Sequence, residues 1–511
     1  MKKERILLVV LAAALGLTSC SGPDPISEET VRPFQPPALA EVEERRSFTL
    51  ACYPGAGFHP ISGGNRLNLT LAPLIYQGLF KVSQDFRAEK DLCESYTVSG
   101  DGLMWTFRLT EAIFSDGAPL TAREVVNSLN IARRSQRYSG RFADVERIAA
   151  EGETVVVTLF EPNGGLPLLL DIPIIKEGED PQRPVGTGPY VITEGEGELT
   201  LTARQGAQVP LSTIALRRVE AGDDLVYAFD SQEISLVDAD LIGTNALGYS
   251  GRLETTDYPT TTLLYIGCNL SSGACREQRT RQALALSVDR DGIAERVLAG
   301  HAAATSLPVH PQAPGFDAGL DKSWKQDPER AGVLLGEAGW IPGEDGVLKR
   351  GREELSLRLI VNQDNTFKTA VAETVADALK ETGCRIVLDK LSWEEFTAAL
   401  EKREFDLYLG ETALTADFDL RSLLGGKGGL NYSGFADPES WELMAQYRGS
   451  RGEERETTLV NLCGRVAEMA PIIPLCFKNG SLLTQWGQVS GAEPTQRDVF
   501  AGFENWKLQY S

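Results

Sequence analysis

The stretch from Leu355 to Gly410 constrains the fold more than any other part of this chain. It alternates short apolar runs with longer amphipathic segments. The runs LSLRLIV, CRIVLDKL and FDLYLG are typical of strands, and the two segments between them are typical of helices. Ser392 is placed to cap the second helix, with Glu395 in capping-box spacing. This β-α-β-α-β order predicts a parallel sheet with right-handed crossovers, and therefore an α/β fold.

The loops after these strands are the first place to look for a ligand site, because ligands bind beyond the carboxyl ends of parallel strands. Those ends read NQDNT, LSW and GETALTADFD. The first loop contains no glycine, so the fingerprint of a dinucleotide site is absent. The run GGKGGL at Gly425 lacks the Ser or Thr that a phosphate-binding Walker loop carries after its lysine. We therefore interpret it as a glycine-rich surface loop.

The N-terminus predicts export. Lys2, Lys3 and Arg5 precede the apolar run from Ile6 to Leu17, which is shorter than the roughly 20 residues that span a bilayer. The residues LTSC that end at Cys20 resemble a bacterial lipobox, in which the cysteine thiol is lipidated. Residues 1–20 are thus predicted to be a lipoprotein signal peptide, and the proline-rich residues 21–45 a flexible tether. The expected location is extracytoplasmic, anchored to the cell membrane by lipid.

Charge and catalytic motifs narrow the classes of function. The formal net charge is −22 with no basic cluster, which argues against nucleic acid as a partner. The three histidines are not spaced as a metal pair, and no complete G-x-S-x-G elbow occurs. We expect no metal, no cofactor and no catalysis, and hence a binding protein rather than an enzyme. An exported hydrolase that uses an unrecognised carboxylate pair is the alternative.

The cysteines leave two alternatives open. Cys268 with Cys275, and Cys463 with Cys476, are close enough in sequence to form disulfides in an exported protein. Reduced, buried thiols would fit the sequence equally well.

Seven motifs in order resemble one family. They are LAPLIYQGLFKV, DGLMWTFRLTEAIFSDGAPLTAREVVNSL, RPVGTGPYVI, RTRQALALSVDRDGIAERVLAGHAAA, DPERAGVLLGEAGW, NYSGFADPESWELM and APIIPLCF. Together they are similar to the extracytoplasmic solute-binding proteins of family 5, the peptide-binding components of ABC transporters. The resemblance covers almost the whole mature chain. It implies a two-lobed clamp with an extra subdomain, in which mixed sheets are flanked by helices.

The resemblance also implies domain boundaries. The first lobe would be discontinuous and comprise residues 46–54, 166–258 and 478–511. A satellite subdomain would occupy residues 55–165, and the second lobe residues 259–477, which include the β-α-β-α-β unit. The lobes would close by a hinge at the crossovers near Tyr258 and Lys478.

Five candidate ligand-binding residues follow from the same resemblance. Asp417 matches the carboxylate that holds the peptide ammonium in oligopeptide binders, and Asp419 is a nearby substitute. Trp393 matches an aromatic residue that lines the cleft. Tyr258 and Asn431 lie by the crossovers and the glycine-rich loop. A peptide would add to the cleft as an extended strand, held by main-chain hydrogen bonds.

Two departures concern specificity. Ala413-Leu414-Thr415 replaces the family's Gly-Trp, and Glu411 stands where oligopeptide binders carry a basic residue. The expected function is nevertheless a lipid-anchored receptor that delivers di- to oligopeptides to ABC permease subunits. The alternatives are a clamp for nickel, a glycan or an opine, and a sensor that keeps the clamp.

Overall fold

The computed structural model describes residues 48–509, and the predicted β-α-β-α-β unit is present in it. Its strands are Ser356–Asn362, Arg385–Leu391 and Leu407–Ala413, and its helices are Thr366–Glu381 and Trp393–Lys402. The first strand pairs in parallel with both of the others. Ser392 and Glu395 form the complete capping box. This part of the prediction is confirmed.

The unit belongs to a seven-stranded mixed sheet that also contains the two longest strands. These long strands, Leu253–Cys268 and Ile472–Gln485, are antiparallel and pair along most of their length. Their register shifts between Pro259 and Leu263, where the strand bulges. A bulge locally bends and twists a strand, so the chain changes direction at the predicted crossover. The remaining members of this sheet are Leu236–Ala239 and Ala302–Ala304.

Two further four-stranded sheets lie outside this one. The first contains, in spatial order, Thr49–Cys52, Thr213–Arg218, Glu198–Ala203 and Tyr190–Gly195. The second is antiparallel and contains Cys93–Val98, Met104–Leu109, Thr154–Leu159 and Val145–Glu151. The small sheets pair Phe80–Val82 with Ala88–Lys90, Val489–Ser490 with Lys507–Leu508, and Leu348–Arg350 with Ile341–Pro342 and Glu353–Glu354.

Helices flank these sheets. The longer ones are Ala122–Arg134, Gly222–Asp230, Gln278–Leu286, Pro328–Glu337, Pro438–Gly449 and Gly452–Met469. The shorter ones are Arg66–Thr70, Ala72–Ile75, Leu166–Leu169, Arg290–Gly292, Ala318–Ser323 and Arg421–Leu424. Four 3₁₀ turns are Pro54–Ala56, Ser139–Phe142, Gly273–Arg276 and Phe503–Asn505, and Ile293–Val297 is a π-helical turn.

The described chain contains two large apolar cores, one in each half of the molecule. The C-terminal core is built from residues of 263–477 together with Phe86 and Ile242. The N-terminal core is built mainly from residues 48–216 and from the C-terminal residues 482–506. A smaller cluster around Phe229 packs beside the first four-stranded sheet. The molecule is thus a mixed α/β protein with two lobes, as the sequence predicts.

A hairpin links the two cores. Its strands are Phe80–Val82 and Ala88–Lys90, and its tip residue Phe86 adopts a left-handed φ of 57°. The Phe86 ring lies 5.0 Å from His310 and 5.0 Å from Phe418, within the C-terminal core. Burial of a phenylalanine side chain contributes about 2–3 kcal/mol, so this hairpin tip fastens one half of the molecule to the other.

All seven described cysteines are buried free thiols. Of the two alternatives left open by the sequence, disulfides or reduced buried thiols, the structure has the reduced thiols. Cys275 contacts Cys268, and this hydrogen bond, with burial, raises the pKa of the Cys275 thiol well above its usual value. Cys20 and residues 1–45 lie outside the described residues. Among helices within residues 48–509, none is long and apolar enough to cross a bilayer.

Candidate functional site

A cavity with a volume of about 760 Å³ lies in the described part of the chain. Its walls are the helices Arg66–Thr70 and Ala72–Ile75, the hairpin around residues 80–91, and the C-terminal segment 493–504. Pockets for small ligands usually have volumes of about 300–1,000 Å³. The cavity is therefore large enough for a solute of a few residues.

The C-terminal segment is held in place from both halves of the molecule. Gln84 on the hairpin donates a hydrogen bond of 2.9 Å to the Pro494 carbonyl. Gln496 Oε1 accepts hydrogen bonds from the Thr261 backbone N–H at 3.1 Å and from its hydroxyl at 3.2 Å. Because Thr261 lies on the long strand of the C-terminal core, this segment closes the cavity against both cores.

One side of the cavity is acidic. Asp498 and Asp91 line it, and Lys81 is the nearby cation. Burial raises the pKa of Asp498 to about 6; Asp91 and Glu504 add to this, whereas Lys81 and the Phe500 N–H oppose it. Burial likewise raises the pKa of Asp91. Asp91 Oδ1 accepts a hydrogen bond of 2.6 Å from Gln77, whereas its Oδ2 has no hydrogen-bond partner among the described residues.

The neighbouring wall is basic. We call Arg137, Arg141 and Arg497 the arginine cluster; Arg141 and Arg497 lie beside the carboxylate of Asp171, and Arg137 lies near Arg497. Arg141 donates a short hydrogen bond to Asp171 Oδ1 and lies 5.0 Å from the Tyr138 ring centroid. Arg497 Nε lies 3.7 Å from Asp171 Oδ2. Burial lowers the pKa of Arg497, and repulsion from Arg141 and Arg137 lowers it further.

A narrow extension of about 20 Å³ continues from the arginine cluster toward the C-terminal core. It shares Asp171 and Arg497 with the large cavity and reaches Leu414 and Ala416. These two residues belong to the stretch GETALTADFD, which follows the third strand of the β-α-β-α-β unit. The predicted ligand face of the parallel sheet therefore borders the cavity at this point.

Asp417 itself lies behind this border and is only 1% exposed. Its Oδ1 accepts a hydrogen bond of 2.5 Å from Thr415, and its Oδ2 lies 4.0 Å from Arg455 Nη2. Burial raises the pKa of Asp417, Asp419 adds to this, and Arg455 opposes it. The backbone at Gly165 packs so closely that an added Cβ would lie 2.8 Å from Asp417 Cβ. The structure thus places Asp417 beside Arg455, leaves its Oδ2 without a hydrogen-bond partner among the described residues, and covers it with the Gly165 backbone.

Asp419 belongs to a network of ion pairs that we call the latch, made of Asp144, Glu161, Asp419, Arg421 and Arg448. Arg421 donates two hydrogen bonds to Asp144, at 2.9 and 2.8 Å, and another of 2.8 Å to Asp419. Arg448 is 3% exposed and pairs with Asp144 at 2.6 Å and with Glu161 at 2.7 Å. Burial lowers the pKa of Arg421, but the hydrogen bonds to Asp144 and Asp419 outweigh it, so the pKa is raised. The latch joins the second four-stranded sheet to the C-terminal core.

None of the other three predicted site residues lines the cavity, although Tyr258 contacts Asp238, which does. Tyr258 is buried and donates a hydrogen bond of 2.5 Å to Asp238, beside the bulge in the long strand. Trp393 begins its helix with 61% of its surface exposed. Asn431 uses its amide to bond Gly425 and Phe435 within the glycine-rich loop. Glu411 pairs with Lys368 and Lys478 at 3.3 and 3.5 Å. None of the five candidates lines the 760 Å³ cavity or its narrow extension.

Sequence reasoning missed the cavity residues Asp91, Asp171, Arg141, Arg497 and Asp498. They are spread over four separate segments, and no motif joins them. One local signal was present: the segment QRDV at residues 496–499 places opposite charges on adjacent residues near the C-terminus. In the structure the two adjacent side chains lie on different sides of the cavity. Arg497 lies with the other arginines of the arginine cluster, and Asp498 lies with Asp91 on the acidic side.

Comparison with known proteins gives one family. A family model described as "Bacterial extracellular solute-binding proteins, family 5 Middle" matches residues 87–427. The chain is 22% identical over 470 residues to the oligopeptide-binding protein AppA of Bacillus subtilis (strain 168), covering 85% of this chain and 86% of that protein.

Solved structures show the same fold. AppA from Bacillus subtilis in complex with a nonapeptide has a TM-score of 0.61 at 20% identity, and the match covers 90% of this chain and 98% of that one. NikZ from Campylobacter jejuni in complex with Ni(L-His) has a TM-score of 0.63 at 18% identity, and the match covers 91% and 99%. Both a peptide binder and a nickel-complex binder therefore share this architecture.

Proposed function

The chain belongs to the bacterial extracellular solute-binding proteins, family 5, and we propose that it binds peptides in the 760 Å³ cavity and delivers them unaltered to an ABC permease. Binding proteins of this family serve ABC importers. The relatives are substrate-binding proteins rather than enzymes. The proposal is therefore capture and release, with no chemical step.

The observation that carries this proposal is the polarity of the cavity. A peptide brings an ammonium group, a carboxylate and a row of main-chain amides. The walls offer an acidic side at Asp91 and Asp498 and a basic side at the arginine cluster. Opposite charges placed on two sides of a partly closed cavity favour a solute that carries both signs, because an unpaired charge is costly once water is excluded.

Closure follows from the same geometry. The lobes are joined by the long strands, whose bulge between Pro259 and Leu263 supplies the hinge in this proposal. The latch and Phe86 hold the halves together where they meet. A solute that contacts both halves shifts the equilibrium toward the closed state by its differential affinity.

We also propose that Asp417 binds the peptide ammonium group and that Cys20 carries a lipid. An ammonium group would bind Asp417, in place of the acidic side at Asp91 and Asp498, only after Gly165 moves away, and it would then replace Arg455 as the counter-ion. Asp417→Asn and N-acetylation of the peptide should then each weaken binding by about tenfold, which is about 1.4 kcal/mol. Cys20 would carry the lipid that keeps the receptor at the membrane.

A ligand screen tests the function. Thermal shifts are measured with di- to octapeptides, glycans and nickel complexes, and bound material is then identified by mass spectrometry. The proposal predicts that peptides raise the melting temperature and are recovered intact. Recovery of cleaved peptide would contradict the binding function, and a shift produced only by glycans or nickel complexes would contradict the peptide assignment.

A further inference from the structure

The charges around Arg497 do not balance. Three guanidinium groups, those of Arg137, Arg141 and Arg497, lie near one another, and the Asp171 carboxylate pairs with Arg141 and lies beside Arg497. The Asp171 and Arg141 side chains are 4% and 7% exposed, whereas the Arg497 side chain is 40% exposed and Arg137 is also exposed. Once Arg141 and Asp171 are paired, two solvent-accessible guanidinium groups remain, and an anionic group from outside the protein can pair with them.

Asp171 is already committed to Arg141. The Arg141 guanidinium donates to Asp171 Oδ1 and also to the Leu169 carbonyl, at 3.4 Å. Asp171 Oδ2 forms no hydrogen bond among residues 48–509, and Arg497 Nε remains 3.7 Å away from it. This distance is outside hydrogen-bond range, so Asp171 neutralises Arg141 and leaves Arg497 only weakly paired.

Arg497 is also available to a ligand. Within the described chain its side chain takes part in no hydrogen bond, and 40% of its surface is exposed. It lines both the large cavity and the narrow extension toward Leu414. Arg137 lines the same cavity, with one nitrogen donating to the Gly63 carbonyl at 3.0 Å. A guanidinium presents a planar fork of donors that matches a carboxylate.

We propose that Arg497, assisted by Arg137, is a binding subsite for a carboxylate group of the ligand, where the two lobes meet. The inference deepens the proposed function and rests on it, because it assumes that the cavity holds the transported solute. For a peptide the group would be the C-terminal carboxylate or an acidic side chain. Ligands with a free C-terminus would then be bound more tightly than their amides.

The test compares acids with amides. A library of di- to octapeptides is prepared twice, as free acids and as C-terminal amides, and offered to the wild type, Arg497→Gln, Arg497→Lys and Arg137→Gln. Arg279→Gln is the matched control, because Arg279 is an exposed arginine that pairs with Glu337. Citrate, succinate and gluconate serve as carboxylates that are not peptides, and inorganic phosphate as an anion without carbon. Dissociation constants are measured by calorimetry on each variant that retains the wild-type melting temperature.

The wild type and the control should bind acids about tenfold more tightly than amides. This difference should disappear in Arg497→Gln, fall in Arg137→Gln and partly return in Arg497→Lys, which keeps the charge without the fork. Equal binding of acids and amides by the wild type overturns the subsite and leaves the peptide function standing. Binding of a non-peptide carboxylate alone, lost in Arg497→Gln, overturns the peptide function and supports the carboxylate subsite, whereas binding of phosphate alone overturns both. Binding of neutral glycans alone overturns both.

Discussion

Replacing Asp144 by asparagine should weaken the attachment of the second four-stranded sheet to the C-terminal core. Asp144 is shared by Arg421 and Arg448, and its side chain is 13% exposed. Breaking a buried ion pair costs about 3–5 kcal/mol, because the remaining charge stays buried. Arg448 fits that case at 3% exposure, although Glu161 still pairs with it. Arg421 is 33% exposed and keeps Asp419, so its own loss is smaller. We therefore expect a loss near the lower limit, about 3 kcal/mol.

The loss should appear in two measurements. Urea unfolding should show a lower midpoint, and small-angle X-ray scattering should show a larger radius of gyration, because the latch joins the two halves. A double-mutant cycle with Arg448→Met should give a coupling energy above about 1 kcal/mol. Asp377→Asn is the control, since Asp377 is 72% exposed and its ion pair in the described chain is with Lys380 of its own helix; its effect should stay within about 0.5 kcal/mol. If Asp144→Asn behaves like this control in both measurements, the latch does not hold the lobes together.

Three further predictions concern packing and pH. Gly164→Ala should lower the free energy of unfolding by about 1–3 kcal/mol, because the added Cβ would overlap the Ser450 carbonyl. Gly140→Ala is the control, since a Cβ at Gly140 would meet open space, and equal urea midpoints for the two variants would contradict the argument. Asp498 has a pKa raised to about 6, against about 4 in an unfolded chain, so its proton stabilises the fold at low pH and this contribution is lost as the pH rises through 6. Asp498→Asn should therefore stabilise the protein by about 3 kcal/mol at pH 8 and by nothing near pH 4, and a variant less stable than the wild type at pH 8 would refute this reasoning. His310 has a pKa lowered by burial to about 4, so its neutral form stabilises the fold above pH 6.5, and about 3 kcal/mol is lost as the pH falls from 6.5 toward 4. Melting curves of His310→Phe should lose this acid-side slope, and an unchanged slope would exclude His310 as its source.

The parts of the fold that sequence predicted are those fixed by neighbours in the chain. Before helix Pro328–Glu337 the sequence predicts a cap at Asp327, and it predicts an inner stripe of Ala331, Leu334, Leu335 and Ala338. The cap is present, and Ala331 and Leu335 are buried. Before helix Ala122–Arg134 the spacing of Thr121 and Glu124 predicts a capping box. Thr121 accepts a hydrogen bond from the Arg123 N–H rather than from the Glu124 N–H, so that box is incomplete.

The site was less predictable because its residues meet only through tertiary structure. Asp171 and Arg497 are more than three hundred positions apart in the sequence, and no local pattern identifies either one. Phe86 is a second example: the sequence places it in a polar turn, SQDFRA, yet the ring fills a gap in the C-terminal core. Periodicity cannot reveal that a hairpin tip packs against a distant half of the chain, since the pattern reports only which face of an element is buried.

The two charged candidates differ in how much a ligand would have to displace. Asp417 has an internal counter-ion in Arg455, which lies 4.0 Å from its Oδ2 and is stacked 3.9 Å from the centre of the Tyr447 ring. An ammonium group there must compete with a cation that belongs to the chain itself, and it must also move the backbone of Gly165. Arg497 likewise has a nearby opposite charge, Asp171 at 3.7 Å, but that carboxylate is bonded to Arg141. Arg497 also lines the cavity directly, whereas Asp417 lies behind the Gly165 backbone. The carboxylate of the solute should therefore reach Arg497 without a backbone movement, whereas its ammonium group reaches Asp417 only after Gly165 moves.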